Sequence, residues 1–293
     1  MLTSNIKRII AKIFSKFNVY FNYPGLRFET IDFLKKFKRN IVKANNSLFS
    51  NNSSLNNNLN NKLSREKNNI IICLGDSNTF GWNYKYEFSY PFLLERNLLN
   101  RNKNIKVLNF GIGGYTVKDG YEYFKENILK IKPKIVIINY GLNDGRISNI
   151  NKNQIKKNKS NYFVAKNSFF LNKSVNLDIK LFEAYFLKLQ KILVENEILA
   201  IFTGIYKIKR IKIGRCWLDS KELIDFQNDI YKNYDDKVNE IALKNDVVFF
   251  DLWNILRNYK KIDEYLHEDG FHLNKIGFKI FADNLTSILK SLI

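Results

Sequence analysis

The chain has 293 residues, enough for one large domain or for one domain with an appendage. Hydrophobic residues make up 45% of it and aromatic residues 15%, which supports a sizeable core and excludes a wholly disordered chain. The formal net charge is +20, and residues 1–69 carry half of this excess, with 13 basic and 3 acidic residues.

The residues that commonly bind metals are sparse. Cys73 and Cys216 form no CxxC pair, which excludes a disulfide scaffold and a cysteine-based zinc site. The only two histidines, His267 and His272, form no HExxH pattern. We therefore expect no metal and no cofactor.

The first predicted element is a basic amphipathic helix within an N-terminal extension, residues 1–44. Its apolar residues recur at helical spacing, and Lys12 and Lys16 interrupt them, which excludes a cleavable signal peptide. No apolar run in the chain reaches the ~18–20 residues of a membrane-spanning helix. The segment lies on an anionic membrane surface as a helix, docks on the domain, or is loosely ordered. We expect a cytoplasmic location, peripheral at the membrane in the first case.

Residues 45–68 are rich in asparagine and serine and predict a linker, because such a tract buries too little apolar surface to offset its ordering entropy. The pattern changes at residue 69. We predict a second, globular domain over residues 69–293.

Short apolar strands alternate with helices along this domain. The predicted strands are Ile70–Leu74, Ile105–Phe110, Ile135–Tyr140, Leu199–Ile205 and Val247–Leu252. The predicted helices are Tyr90–Arg101, Lys118–Lys130, Ile179–Asn196, Lys221–Lys244 and Asn274–Leu292. This alternation predicts an α/β fold, a flavodoxin-like three-layer α/β/α sandwich with a five-stranded parallel sheet in the order 2-1-3-4-5.

Four polar clusters follow the first three strands or precede the last helix. They are Gly75–Thr79, Gly111–Gly114, Gly141–Asp144 and Asp269–His272. Each alone is compatible with an ordinary turn or helix cap. Together they are expected at one edge of the sheet, where the working groups of such folds gather.

These four blocks, in this order, resemble those of the SGNH/GDSL hydrolase superfamily over residues 69–293. Gly75-Asp76-Ser77 is similar to the first block, and Gly114 to the glycine of the second. Asn143 is similar to the asparagine of the third block, and Asp269-x-x-His272 to the fifth. The resemblance implies that Ser77 is the nucleophile and that Ser77, Gly114 and Asn143 form the oxyanion hole. Residues 1–68 lie outside it.

The residue types suit that chemistry independently. A serine hydroxyl needs a neighbouring base, and an imidazole can take its proton near neutral pH. The spacing of Asp269 and His272 permits both on one turn, with the carboxylate orienting the ring. The oxyanion needs hydrogen-bond donors, for which the amides of Ser77 and Gly114 and the side chain of Asn143 are available. His267 remains the rival base.

Two basic segments follow strands of the predicted sheet, at residues 146–177 and 207–215. The first contains seven lysines and arginines and no acidic residue. The alternation in residues 207–213 predicts a strand or hairpin with one charged face. An electropositive mouth for an anionic ester and solvated surface lysines are both compatible with this pattern.

The leading functional hypothesis is a serine esterase that hydrolyses or transfers a small acyl group, for which the resemblance favours an O-acetylated carbohydrate or other small-molecule ester. A lysophospholipase or lipase at a membrane surface is the first alternative. The second is a non-catalytic nucleic-acid-binding protein, for which the dispersed charge and the lack of a recognised motif give little support. The oligomeric state is not predicted.

Overall fold

The computed structural model describes residues 69–99, 105–147, 175–213, 216–218, 220–258 and 261–293. The expected extension (1–44), the linker (45–68) and most of the first basic segment lie outside this part of the chain. The structural description therefore concerns the predicted globular domain.

The described residues form seven strands, five of which make one parallel sheet. In chain order the strands are β1 (Ile70–Gly75), β2 (Lys106–Gly111), β3 (Ile135–Asn139), β4 (Leu199–Thr203), β5 (Ile211–Ile213), β6 (Cys216–Leu218) and β7 (Val248–Phe250). The sheet has the order β2-β1-β3-β4-β7, and β5 and β6 pair separately as an antiparallel hairpin. This is the predicted 2-1-3-4-5 order, which is confirmed.

Seven α-helices surround the sheet in the described part of the chain. They are α1 (Ser77–Phe80), α2 (Tyr90–Leu99), α3 (Val117–Tyr123), α4 (Ile179–Glu195), α5 (Lys221–Lys244), α6 (Leu252–Arg257) and α7 (Lys275–Leu289). Helix α2 packs against α7, whereas α4 packs against α3 and α5. The two groups flank the sheet and complete the expected α/β/α layers. None of these helices is long and apolar enough to cross a bilayer.

The central strands are apolar along their whole length because helices cover both faces of a parallel sheet. Every residue of β1 and β3 is buried. Cys73, in the middle of β1, is a free thiol with no solvent exposure, and burial raises its pKa far above the usual range. The core is thus closed directly beneath the loop that carries Ser77.

The predicted bounds of one helix and of the last strand were wrong. The predicted helix Lys118–Lys130 divides into α3, a π-helical turn (Phe124–Ile128) and a 3₁₀ turn (Leu129–Ile131). The last strand ends at Phe250, because Asp251 caps α6 by accepting a hydrogen bond from the Asn254 amide (2.9 Å).

The second basic segment also differs from its prediction. Of the described residues in this segment, Ile211–Ile213 form one strand of the predicted hairpin, and residues 207–210 do not extend it. The backbone amides of Lys209 and Arg210 instead donate to the carbonyl of Gly270, at 2.7 and 3.2 Å. The segment therefore lies against the loop that carries Asp269 and His272.

Candidate active site

The first predicted block forms a tight turn between β1 and α1. Asp76 is the N-cap of α1, and its Oδ1 accepts a hydrogen bond from the Asn78 amide (2.8 Å). Ser77 is the first residue of the helix. At Gly111, at the end of the neighbouring strand β2, an added Cβ would lie 2.1 Å from the backbone nitrogen of Phe80. A glycine is therefore required for α1 to approach the sheet this closely.

Residues Asp269–His272 form a turn in which the Asp269 carboxylate contacts both the backbone of the turn and the imidazole of His272. Oδ1 of Asp269 accepts hydrogen bonds from the backbone amides of Phe271 (2.9 Å) and His272 (3.0 Å). Its Oδ2 lies 2.6 Å from His272 Nδ1. The spacing of three residues thus lets the carboxylate shape the turn and contact the imidazole together.

The structure brings Ser77 and His272 together across 195 positions of sequence. The Ser77 Oγ lies 2.9 Å from His272 Nε2. Because Asp269 accepts a hydrogen bond at Nδ1, the network assigns the proton of a neutral ring to Nδ1 and leaves Nε2 as the acceptor for the serine hydroxyl. This tautomer suits a general base.

The two carboxyl groups near Ser77 and His272 differ in their pKa values. Burial raises the pKa of Asp269, but hydrogen bonds from the His272 side chain and from two backbone amides hold that pKa well below its usual range. Asp269 is therefore ionised opposite the imidazole. Burial raises the pKa of Asp76 to about 6, although the Asn78 amide and His272 oppose the rise.

The predicted oxyanion donors occupy the adjoining loops. Gly114 has φ +84°, and an added Cβ there would meet no heavy atom within 4 Å, so its surroundings are open. The Asn143 side-chain amide donates to the carbonyl of Tyr115 (3.1 Å) and lies 3.5 Å from Asp76 Oδ2. The structure therefore places Asn143 between the second block and the nucleophile turn.

Asp144, which was predicted only as part of a turn, connects the loop after β2 with the loop after β3. Its Oδ1 accepts a hydrogen bond from the Val117 amide (2.8 Å), and its Oδ2 accepts one from the Gly141 amide (2.9 Å). Burial raises the pKa of this carboxyl to about 7. The neighbouring Asn143 is fixed in turn by Asn176, whose side chain donates to its carbonyl (2.7 Å).

The rival base, His267, has a different environment. Its Nδ1 accepts a hydrogen bond from the Asp269 amide (3.2 Å) and lies 3.5 Å from Asp269 Oδ2. Its ring packs edge-on against Tyr84. The imidazole that contacts Ser77 is therefore that of His272.

One residue beside the site was not predicted from the sequence. Trp82 is 39% exposed, although it is a large apolar side chain, and its ring centroid lies 6.1 Å from that of His272. A Cβ added at Gly113 would lie 3.9 Å from both this indole and the Ser77 Cβ. The only available signal was a tryptophan five residues after the serine.

The second basic segment lines a cleft of about 1200 Å³ that shares the wall formed by residues 267–270. Lys207, Lys209 and Arg210 face this cleft, but so do the acidic residues Asp225, Asp229, Asp263 and Glu268. Lys209 pairs with Asp263 at 2.5 Å. The cleft is therefore mixed in charge. In the described ranges, no group of three His, Cys, Asp or Glu residues is arranged to hold a metal ion.

Two bacterial proteins are similar in sequence to part of this chain. A Bacillus subtilis (strain 168) protein named "Uncharacterized lipoprotein YqeF" is 36% identical over 92 residues, which are 30% of this chain and 37% of that protein. The "Arylesterase" of Vibrio mimicus is 33% identical over 75 residues, 26% of this chain and 38% of that one. The matches thus span less than two fifths of each relative's length.

Solved structures share the fold across nearly the whole described domain. The acetyl xylan esterase AlAXEase superposes with a TM-score of 0.55 at 20% sequence identity, over 75% of this chain and 99% of its own. The model of the GDSL-like Lipase/Acylhydrolase family matches residues 73–280, a span that includes all four polar blocks. Since that match covers more than half of the sequence, the chain belongs to the GDSL-like lipase/acylhydrolase family.

Proposed function

We propose that this chain is a serine carboxylic ester hydrolase that works through an acyl-enzyme on Ser77. The observation that carries the proposal is the continuous hydrogen-bonded series from Ser77 Oγ through the His272 imidazole to Asp269, at 2.9 and 2.6 Å. Membership of the family supports the same reaction class. Three groups in this order activate a hydroxyl that is otherwise a weak nucleophile.

In the acylation step, the Ser77 hydroxyl gives its proton to His272 Nε2 as Oγ attacks the ester carbonyl carbon. The carbonyl π electrons move to oxygen, and the amides of Ser77 and Gly114 with the Asn143 side chain stabilise the resulting oxyanion. Asp269 stabilises the imidazolium that has formed. Collapse breaks the bond to the alcohol oxygen, which leaves with the proton from Nε2.

In the second step, water replaces the alcohol. His272 removes a proton from the water as the water oxygen attacks the acyl carbon. When the bond between Ser77 Oγ and the acyl carbon breaks, Oγ takes that proton from His272 and the acid departs. A bound alcohol in place of water would give transfer to a new ester. Asn143 lies beside both the nucleophile turn and the second block, and an oxyanion would compete with the Tyr115 carbonyl and Asp76 for its amide protons in both steps.

We propose a small acyl ester as the substrate class, such as an acetyl group on a carbohydrate hydroxyl. The support is that AlAXEase, an acetyl xylan esterase, shares the fold, and that one relative is named an arylesterase. Trp82 offers an exposed ring beside Ser77 for the group attached to the ester, because aromatic faces pack well on sugar and aryl rings.

An ester panel tests the proposal. Acetyl, butyryl, octanoyl and palmitoyl esters of one chromogenic alcohol are assayed with the wild type and Ser77→Ala, followed by acetylated oligosaccharides. We expect hydrolysis of the shorter esters and its loss in Ser77→Ala. Faster turnover of long acyl chains presented on anionic vesicles would favour the lipase alternative.

A covalent probe distinguishes catalysis at Ser77 from contaminating activity. A fluorophosphonate should label the wild type and fail to label Ser77→Ala. Ser287→Ala is a suitable control, because the Ser287 hydroxyl is exposed on α7 and donates only to the Asp283 carbonyl (3.3 Å). Equal labelling of wild type and Ser77→Ala would refute the proposal.

A further inference from the structure

A fully buried amide lies directly beside the nucleophile. Asn78 follows Ser77 on α1 and has no solvent exposure. Its Oδ1 accepts two hydrogen bonds, one from the Tyr206 hydroxyl (2.7 Å) and one from the Leu273 backbone amide (3.1 Å). Neither residue is near Asn78 in sequence, so these contacts connect three separate segments of the domain.

The same tyrosine reaches the other side of the histidine. The Tyr206 hydroxyl lies 3.0 Å from the carbonyl of Phe271. Phe271 and Leu273 flank His272 in sequence, so the Asn78 and Tyr206 side chains together contact the backbone on both sides of that residue. The nucleophile helix and the histidine turn are thereby joined beneath the reacting atoms.

The chemistry of the groups makes this connection specific. The Leu273 amide can only donate, which fixes the Asn78 side chain with Oδ1 toward it. A phenol carries one proton, so the Tyr206 hydroxyl shares it between two acceptor oxygens. Burial raises the pKa of Tyr206 well above its ordinary value, so the hydroxyl remains a donor across the working pH range.

We propose that Asn78 and Tyr206 are positioning residues, which set the separation of Ser77 Oγ and His272 Nε2 without touching the substrate. The inference rests on the proposed function. Its basis is that one end of the network is covalently next to Ser77 and the other holds both neighbours of His272. A hydrogen bond of 2.9 Å between two loops is sensitive to small displacements of either loop.

Tyr206→Phe is the main test, because it removes the hydroxyl and keeps the buried ring. Loss of this constraint should lower kcat for a short ester by about ten- to hundred-fold, the usual consequence of misplacing reacting groups by up to 1 Å. KM should change less than twofold, as is expected of a buried hydroxyl that contacts no substrate.

Tyr234→Phe is the matched control. The Tyr234 hydroxyl is also buried and donates to a backbone carbonyl, that of Leu177 (2.5 Å), far in sequence from the histidine turn. Both variants should lower the melting temperature by similar amounts. Only Tyr206→Phe should lower kcat.

A double-mutant cycle tests whether Asn78 and Tyr206 act together. If they form one unit, Asn78→Ala with Tyr206→Phe should lose less kcat than the product of the two single losses. Multiplicative losses would show that the residues act independently and would overturn the shared role.

Histidine NMR supplies a readout that does not depend on turnover. The chain has only two histidines, so the imidazole resonances can be assigned with His267→Asn. Tyr206→Phe should shift the resonances of His272 more than those of His267, which belongs to the same turn but does not contact Ser77, whereas Tyr234→Phe should shift neither.

The two proposals fail in different ways. A wild type without Ser77-dependent hydrolysis overturns the proposed function, and the NMR comparison then decides the positioning role alone. If hydrolysis is present, unchanged His272 resonances and a kcat within twofold of Tyr234→Phe would overturn the positioning role.

Discussion

Ser77 and His272 belong to two segments that the fold holds in different ways. The nucleophile turn, residues 75–79, is buried throughout and lies against the sheet. The histidine turn, residues 267–272, is partly exposed and is held by backbone hydrogen bonds, among them one from the His267 amide to the His272 carbonyl (2.8 Å). Substitutions that disturb packing in the first segment should therefore cost stability, whereas those in the second should mainly cost activity.

The largest expected effect is that of Asp269→Asn in the histidine turn. Asparagine can still accept the two backbone hydrogen bonds, but its amide cannot accept the proton of His272 Nδ1, so the ring is left in the wrong tautomer. We expect kcat to fall by about 10⁴-fold. Stopped-flow or long-incubation ester assays with circular dichroism would measure both activity and folding.

The control for this substitution is His267→Asn, because His267 also contacts Asp269 but not the nucleophile. We expect its kcat to stay within a few-fold of wild type, whereas His272→Asn should lose activity as severely as Asp269→Asn. A larger loss in His267→Asn than in His272→Asn would reverse the assignment of the base.

The next effect tests the donor between the two segments. Asn143→Ala removes one proposed oxyanion donor, which typically lowers kcat by about 10²–10³-fold. We expect KM to change little, because the oxyanion exists only after attack. Steady-state kinetics with an acetyl ester would show this split, and full activity would remove Asn143 from the oxyanion hole.

Gly111→Ala tests whether close packing of α1 against β2 determines the position of the nucleophile turn. Its Cβ would lie 2.1 Å from the backbone nitrogen of Phe80, so α1 or the sheet must shift. We expect a loss of about 1–3 kcal/mol in the free energy of unfolding, measured by urea denaturation. Gly114→Ala is the comparison, because there the added Cβ meets open space and only the left-handed backbone opposes it. An equal or larger loss at Gly114 would contradict the packing argument.

The smallest effect is expected at Trp82, which rims the site. Trp82→Ala should raise KM for aryl or sugar esters by several-fold through loss of ring contact, worth about 0.5–1.5 kcal/mol. Alkyl esters of similar size serve as the control and should respond less. A uniform change in kcat for all esters would indicate instead that the indole positions His272.

The sequence predicted the parts of this molecule that depend on local patterns. Apolar runs such as Ile70–Leu74 gave the buried strands, and the order of the sheet followed from alternation with helices. The pairing of Asp269 with His272 followed from a spacing that one turn can span. In each case, neighbouring residues contain the physical cause.

What the sequence could not predict depends on contacts between distant segments. The Tyr206 hydroxyl meets Asn78 across 128 positions, and no local pattern marks that tyrosine among the sixteen in the chain. The end of β7 was misplaced because Leu252, the apolar residue after Asp251, begins helix α6, which Asp251 caps. The exposure of Trp82 likewise follows from tertiary structure alone.

The buried thiol of Cys73 can report local unfolding at the centre of the sheet. A thiol that is shielded from solvent and held in its neutral form reacts with alkylating reagents only after the strand around it separates from its neighbours. With Cys216 replaced by serine, the alkylation rate would report how often the centre of the sheet becomes accessible. Cys73 lies in β1, four residues before Ser77. The same alkylation rate therefore also measures how often the strand that leads into the nucleophile turn opens.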